Sequence, residues 1–352
     1  MNPSWQARAI SASLRLFVRR RRWGADAAGV ARRARLIFGA PWPYQWLRTR
    51  GLNVRPVDDA AAGVRGEWLE PASATAGANT TAGAGATKGM GAKASARVTA
   101  GAGAAAGAAG AGVIFYIHGG GFVSGSAATQ RPITAALARL TAQRVFSLDY
   151  RLAPEHRYPA ALDDAVAAYE WLLAREGVPA NSICVAGDSA GGGLVLGCLL
   201  RLRDARLAPP ACAVCFSPWA DLAGTGASVR TNDGRCAMFR TENIEEFAAA
   251  YLPTGVSPRD PYASPAHADN FRDLPPLLLQ VGSTELLLDD ARGIHEQIRA
   301  AGGASRLEIY EDLPHGWQML DGLVPEARAA LAQAASFIRE HQPGTRGDGS
   351  KF

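Results

Sequence analysis

A chain of 352 residues, 48% hydrophobic and 20% charged, can bury a sizeable core and does not have the composition of a disordered or fibrous polymer. The net charge of +5 is unevenly spread. Residues 1–57 carry twelve Arg against one acid, Asp26, a balance of +11 that leaves −6 on the remainder. No apolar run reaches the ~18 residues that span a bilayer. The five cysteines, at 184, 198, 212, 215 and 236, are odd in number, and Cys212 and Cys215 lack the second ligand pair of a zinc site, so no metal is expected.

The N-terminus lacks the order of a signal peptide, because its charges at 19–22 follow the short apolar stretch instead of preceding it. A reducing cytoplasm is the expected compartment. Residues 5–55 read as two or three short helices: Ile10, Leu14 and Phe17 share one helical face, and so do Val30, Ala34 and Ile37. Such helices cannot make a core of their own, so residues 1–60 are expected to cap another surface. Their Arg side chains are expected to form a solvated face. No aromatic-interleaved, base-reading motif points to nucleic acid, and contact with an anionic membrane surface is the less favoured alternative.

The stretch 64–69 (V-R-G-E-W-L) looks like a first strand. Residues 71–112 are almost wholly Ala, Gly, Thr and Ser. Ordering them would cost about 1–2 kcal/mol of backbone entropy per residue with little apolar area to offset it. They read as a flexible insertion.

From Val113 short apolar runs alternate with helical stretches. Strands are expected at 113–117, 145–148, from Ile183 into G-D-S-A-G, and at 211–216, 277–282 and 306–310, with helices between them and a last helix at 326–340. That alternation gives an α/β fold, a mainly parallel sheet flanked by helices over 61–342, with a further cap contribution around 222–262 and a disordered tail at 343–352.

Chemistry in such a sheet sits beyond the carboxyl ends of the strands, and the polar motifs fall there. G-D-S-A-G (187–191) lies between a strand and a helix, the context of a nucleophile elbow, although the pattern alone is weak in a chain with 39 glycines. His118-Gly119-Gly120-Gly121, Glu285 and His315 follow three other strands. Ser, acid and His in that order suit an α/β-hydrolase. Ser189 needs a base, which His315 supplies, and Glu285 steadies the imidazole. The amides of Gly119, Gly120, Gly121 and Ala190 are the expected oxyanion hole.

H-G-G-G-F (118–122), D-Y-R-L-A-P-E-H-R-Y-P-A-A-L-D-D (149–164), G-D-S-A-G-G (187–192) and H-G-W (315–317) together resemble the hormone-sensitive-lipase-like α/β-hydrolases, the bacterial family IV carboxylesterases. The resemblance implies ester hydrolysis through an acyl-serine intermediate, no cofactor, a small-molecule ester as partner, and a helical cap made partly from the N-terminus. It leaves a homodimer open. Many members carry Asp-Pro-Leu-x-Asp where this chain has E-L-L-L-D (285–289). Glu285 is therefore the expected acid, with Asp289 and Asp290 as alternatives. Asp149, Arg151 and Glu155 are expected to brace the loop beside the elbow, and Phe122 and Trp219 stand near enough to line a pocket, with a core position as the equal alternative.

The expected substrate is a short- to medium-chain acyl ester. A lactone hydrolase or a small-molecule deacetylase would use the same groups, because the pocket and not the acyl-transfer chemistry selects the substrate. A non-catalytic small-molecule receptor on the same scaffold would instead show a degraded triad.

Overall fold

The computed structural model describes residues 3–24, 26–39, 43–72 and 112–343. The expected insertion at 71–112 and tail at 343–352 lie almost entirely outside the described residues.

Three helices open the chain: α1 (Trp5–Phe17), α2 (Ala27–Phe38) and α3 (Pro43–Arg48). A hairpin of β1 (Leu52–Asp59) and β2 (Val64–Pro71) follows. The alternation then runs through β3 (Val113–Ile117), α4 (Arg131–Thr141), β4 (Arg144–Leu148), α5 (Ala160–Ala174), β5 (Ile183–Asp188), α6 (Ala190–Asp204) and β6 (Cys212–Phe216). The short α7 (Ser228–Thr231) and α8 (Thr241–Tyr251) precede β7 (Leu277–Gly282), α9 (Leu288–Ala300), β8 (Ser305–Tyr310) and α10 (Pro325–His341). No helix among the described residues is long and apolar enough to cross a membrane.

The sheet order is β1-β2-β4-β3-β5-β6-β7-β8. β3 to β8 are parallel, and β1 and β2 are antiparallel at one edge. β1 corrects two expectations: the sheet begins before residue 64, and the N-terminal helical segment ends before Leu52 instead of reaching residue 60. Pro56 lies within β1, where an edge strand tolerates a residue without an N–H, and β1 has only β2 as a neighbour.

The continuous apolar runs of the inner strands follow from a sheet covered on both faces. Successive side chains point to opposite faces. Phe115, Val185 and Leu279 join one core layer with Leu162 of α5, Leu194 of α6 and Ile294 of α9. Ile114, Cys184, Val214 and Leu278 join the other with Leu137 of α4 and Leu331 of α10. Val30 and Ala34 of α2 are buried in the first layer together with Phe247 of α8.

The chain leaves β3 toward β4 on one side and later returns to β5 on the other. Strand order reverses there, which opens a crevice at the carboxyl ends of β3 and β5. His118 follows β3, and Ser189 follows β5.

Candidate active site

Ser189 joins β5 directly to α6 with φ 54° and ψ −123°, a conformation that costs a non-glycine residue about 1–3 kcal/mol and persists only where its surroundings enforce it. The flanking glycines are part of that enforcement. A Cβ on Gly187 would lie 2.7 Å from the Ile117 carbonyl oxygen, and one on Gly191 would lie 2.1 Å from the same oxygen and 2.5 Å from that of His118. Backbone from β3 therefore packs against both sides of the bend. Ser189 Oγ is held toward the crevice, and the first turn of α6 aims its unpaired amides at the same place.

The loop after β8 brings His315 beneath that hydroxyl. Ser189 Oγ donates to His315 Nε2 at 2.9 Å, and His315 Nδ1 donates to Glu285 Oε2 at 2.5 Å. Glu285 is buried, with 1% of its surface exposed. Its second oxygen accepts from Ser217 Oγ at 2.7 Å and from the Gly282 amide at 2.6 Å. Both carboxylate oxygens are thus satisfied, and the group is fixed in rotation.

Asp289 and Asp290 are occupied elsewhere. Asp289 accepts from the Ser228 amide, while Asp290 accepts from the amides of Ala220 and Asp221. Burial and the nearby Asp221 carboxylate push Asp290 well above the usual carboxylate range.

The glycine loop departs from expectation at its first position. The Gly119 amide donates to Asp188 Oδ1 at 2.9 Å, so it is spent on the elbow and removed from the expected oxyanion set. A Cβ on Gly119 would also strike Asp188 Oδ2 at 2.3 Å. Gly120 and Gly121 carry φ of 122° and 63°, and all three glycines line the cavity beside Ser189.

Asp188 was not singled out from the sequence, nor were Tyr116 and Gln130, which donate to it at 2.8 and 3.1 Å. Burial raises its carboxyl to about 6, against the opposing effect of the Tyr116 hydroxyl and the Gly119 amide. His118 is buried and its ring stacks on Tyr150 at 4.1 Å. The Tyr150 hydroxyl donates to the His118 carbonyl at 3.0 Å, and burial lowers the imidazole pKa.

The expected brace is divided among different partners. Asp149 accepts from the Ala127 amide, Arg151 pairs with Asp164, and Glu155 pairs with Arg35 of α2. Arg35 also donates to the Val123 and Ala153 carbonyls, so it ties the N-terminal helices to the glycine loop. Arg19, which pairs with Asp233, departs from the expected solvated face, whereas Arg15 donates to the Arg235 carbonyl and stays exposed.

A cavity of about 430 Å³ opens over Ser189 and His315. Ile10 and Leu14 of α1, Phe38 of α2, Phe247 of α8 and Leu323 are among its apolar walls. Trp219 lines it, whereas Phe122 is buried and stacks on Tyr251 at 3.9 Å. Among the described residues no group of three or more His, Cys, Asp or Glu is placed to hold a metal ion, and all five cysteines are buried without a disulfide.

Residues 114–319 match the model of a family described as having the alpha/beta hydrolase fold. The chain is 44% identical to an acetyl-hydrolase of Streptomyces hygroscopicus over 226 residues, 64% of this chain and 75% of that protein. It is 38% identical to an esterase of Acinetobacter venetianus over 225 residues, 64% of this chain and 74% of that one. A solved esterase from the bacterial hormone-sensitive lipase family superposes with a TM-score of 0.76 at 34% identity, over 97% of this chain and 99% of that structure. The chain belongs to the α/β-hydrolase family, in its hormone-sensitive-lipase-like branch.

Proposed function

We propose that Ser189, His315 and Glu285 are the nucleophile, base and orienting acid of this carboxylic-ester hydrolase, and that it takes esters of short to medium acyl chains. The observation that carries the assignment is the continuous hydrogen-bonded line from Ser189 Oγ through both ring nitrogens of His315 to Glu285, at 2.9 and 2.5 Å. It ends in a cavity with apolar walls.

Ser189 Oγ attacks the carbonyl carbon while its proton passes to His315 Nε2. Glu285, held by Ser217 and Gly282, stabilises the resulting imidazolium. The amides of Gly120, Gly121 and Ala190 are the donors assigned to the oxyanion, each worth about 3–4 kcal/mol in comparable sites. Collapse breaks the bond to the alcohol oxygen, which takes the proton from His315. Water then repeats the sequence on the acyl-serine and regenerates Ser189.

The acyl range rests on the cavity, whose volume is near the lower part of the ~300–1,000 Å³ usual for small-molecule sites, and on the similarity to an acetyl-hydrolase. Chromogenic acetyl, butyryl and octanoyl esters test it. A burst of released alcohol is expected with the two shorter esters and is abolished by Ser189→Ala. Absence of a burst with any ester, or its survival in Ser189→Ala, refutes the assignment.

A further inference from the structure

Seven large apolar side chains are exposed among the described residues. Five of them, Trp5 (69%), Leu16, Phe17 (62%), Leu36 (81%) and Leu47, belong to α1–α3, and a sixth, Leu323, lines the cavity itself. α1 turns Ile10 and Leu14 into the cavity and leaves Trp5 and Leu16 on its outer side. Exposed basic side chains stand close in sequence to these apolar ones. Arg20 and Arg22 stand exposed just beyond Phe17, and exposed Arg32 and Arg33 lie one turn back from Leu36. Asp26, the one acid of residues 1–57, is used as the N-cap of α2, where it accepts from the Gly29 amide at 2.7 Å.

Arg alternating with Trp, Phe and Leu on short amphipathic helices is the pattern of an element that lies in a lipid interface. We propose that α1 and α2 dock this face on an anionic lipid surface and bring the mouth of the cavity to the headgroup layer.

Charge decides between the occupants of the face. A second copy would set two strongly cationic segments against each other. The chain's own residues 73–111 carry Lys88, Lys93 and Arg97 with no acid, so they would be repelled by the same arginines. An anionic surface instead releases counterions and offers apolar cover to the exposed Leu16, Phe17 and Leu36.

The test is sedimentation of the full chain with vesicles of phosphatidylglycerol and phosphatidylcholine, compared with phosphatidylcholine alone. Binding is expected to the anionic vesicles only and to weaken as salt is raised. Joint Arg20→Gln, Arg22→Gln and Arg32→Gln should weaken it on the order of 100-fold. Joint Leu16→Ser, Phe17→Ser and Leu36→Ser should weaken it by at least about tenfold. Both triple variants should keep wild-type turnover of a soluble acetyl ester, which reports that they fold. The inference is independent of the catalytic assignment, since Ser189→Ala protein should bind vesicles like the wild type. It is overturned by equal binding to both vesicle types, by no binding to either, or by binding that neither triple variant changes. A dimer that the Leu/Phe triple variant dissolves also overturns it, because the face would then belong to a second copy.

Discussion

The Gly119 amide donates to Asp188 Oδ1 at 2.9 Å, so the residue before Ser189 holds the first glycine of the loop that faces it. One carboxylate thereby joins the ends of β3 and β5, and the relative placement of glycine loop and elbow rests on a buried charge.

That charge makes stability depend on pH. Asp188 has a folded pKa of about 6 against an ordinary value of 3.8. The folded state holds the proton more tightly, so the group's stabilising contribution is complete below 3.8 and is lost as pH rises through about 6. The difference is about 3 kcal/mol. Asp188→Asn keeps an oxygen for the Gly119 amide and gives its NH₂ to Gln130, whose Oε1 is buried with no partner among the described residues. Urea unfolding between about pH 4 and pH 7 should show a stability loss in the wild type that the variant lacks. Parallel pH curves for the two proteins would show that Asp188 does not titrate in this range.

Glu285→Gln should leave the fold intact and lower kcat about 10³- to 10⁴-fold, because an amide cannot stabilise the imidazolium and favours the wrong tautomer. Asp289→Asn is the contrasting variant. Asp289 caps α7 and does not approach His315, so kcat should stay near wild type. A large loss in Asp289→Asn with little in Glu285→Gln would move the acid role.

Gly191→Ala should be severely destabilising, by about 3 kcal/mol or more. Its Cβ would enter the space of two backbone carbonyl oxygens, which cannot swing aside as a side chain can. Gly234→Ala, with nothing within 4 Å, is the control and should be nearly neutral. Thermal unfolding of the two variants checks the contrast, and equal midpoints would contradict the packing at the elbow.

Arg35→Ala should act on binding more than on chemistry. Arg35 links α2 to Glu155 and to the Val123 and Ala153 carbonyls, while Ile37 and Phe38 on the same helix line the cavity. A several-fold rise in KM is expected with a smaller fall in kcat. The Arg35 guanidinium holds Glu155 down at about 2. The pair's contribution is therefore present above the ordinary value of 4.5 and fades as pH falls toward 2. A fall in kcat with KM unchanged would place Arg35 outside the binding of substrate.

The sequence by itself determined the alternation of strands and helices from Val113 onward, since a strand buried on both faces reads as an apolar run and a covering helix as a 3.6-residue period. It also placed Ser189, Glu285 and His315 at strand ends, because short loops leave such residues little room to stray. β1 stayed hidden because Pro56 breaks the local pattern, and only its place at the sheet edge makes that harmless. Tertiary structure alone decided which carboxylate meets His315. Glu285, Asp289 and Asp290 lie within six residues of one another, and direction in space separates them. It likewise decided that the Gly119 amide turns to Asp188, that Trp219 faces the cavity while Phe122 enters the core, and that Arg35 reaches across to Glu155. Each of these depends on contacts between segments far apart in the chain, and residue identity and spacing carry no record of such contacts.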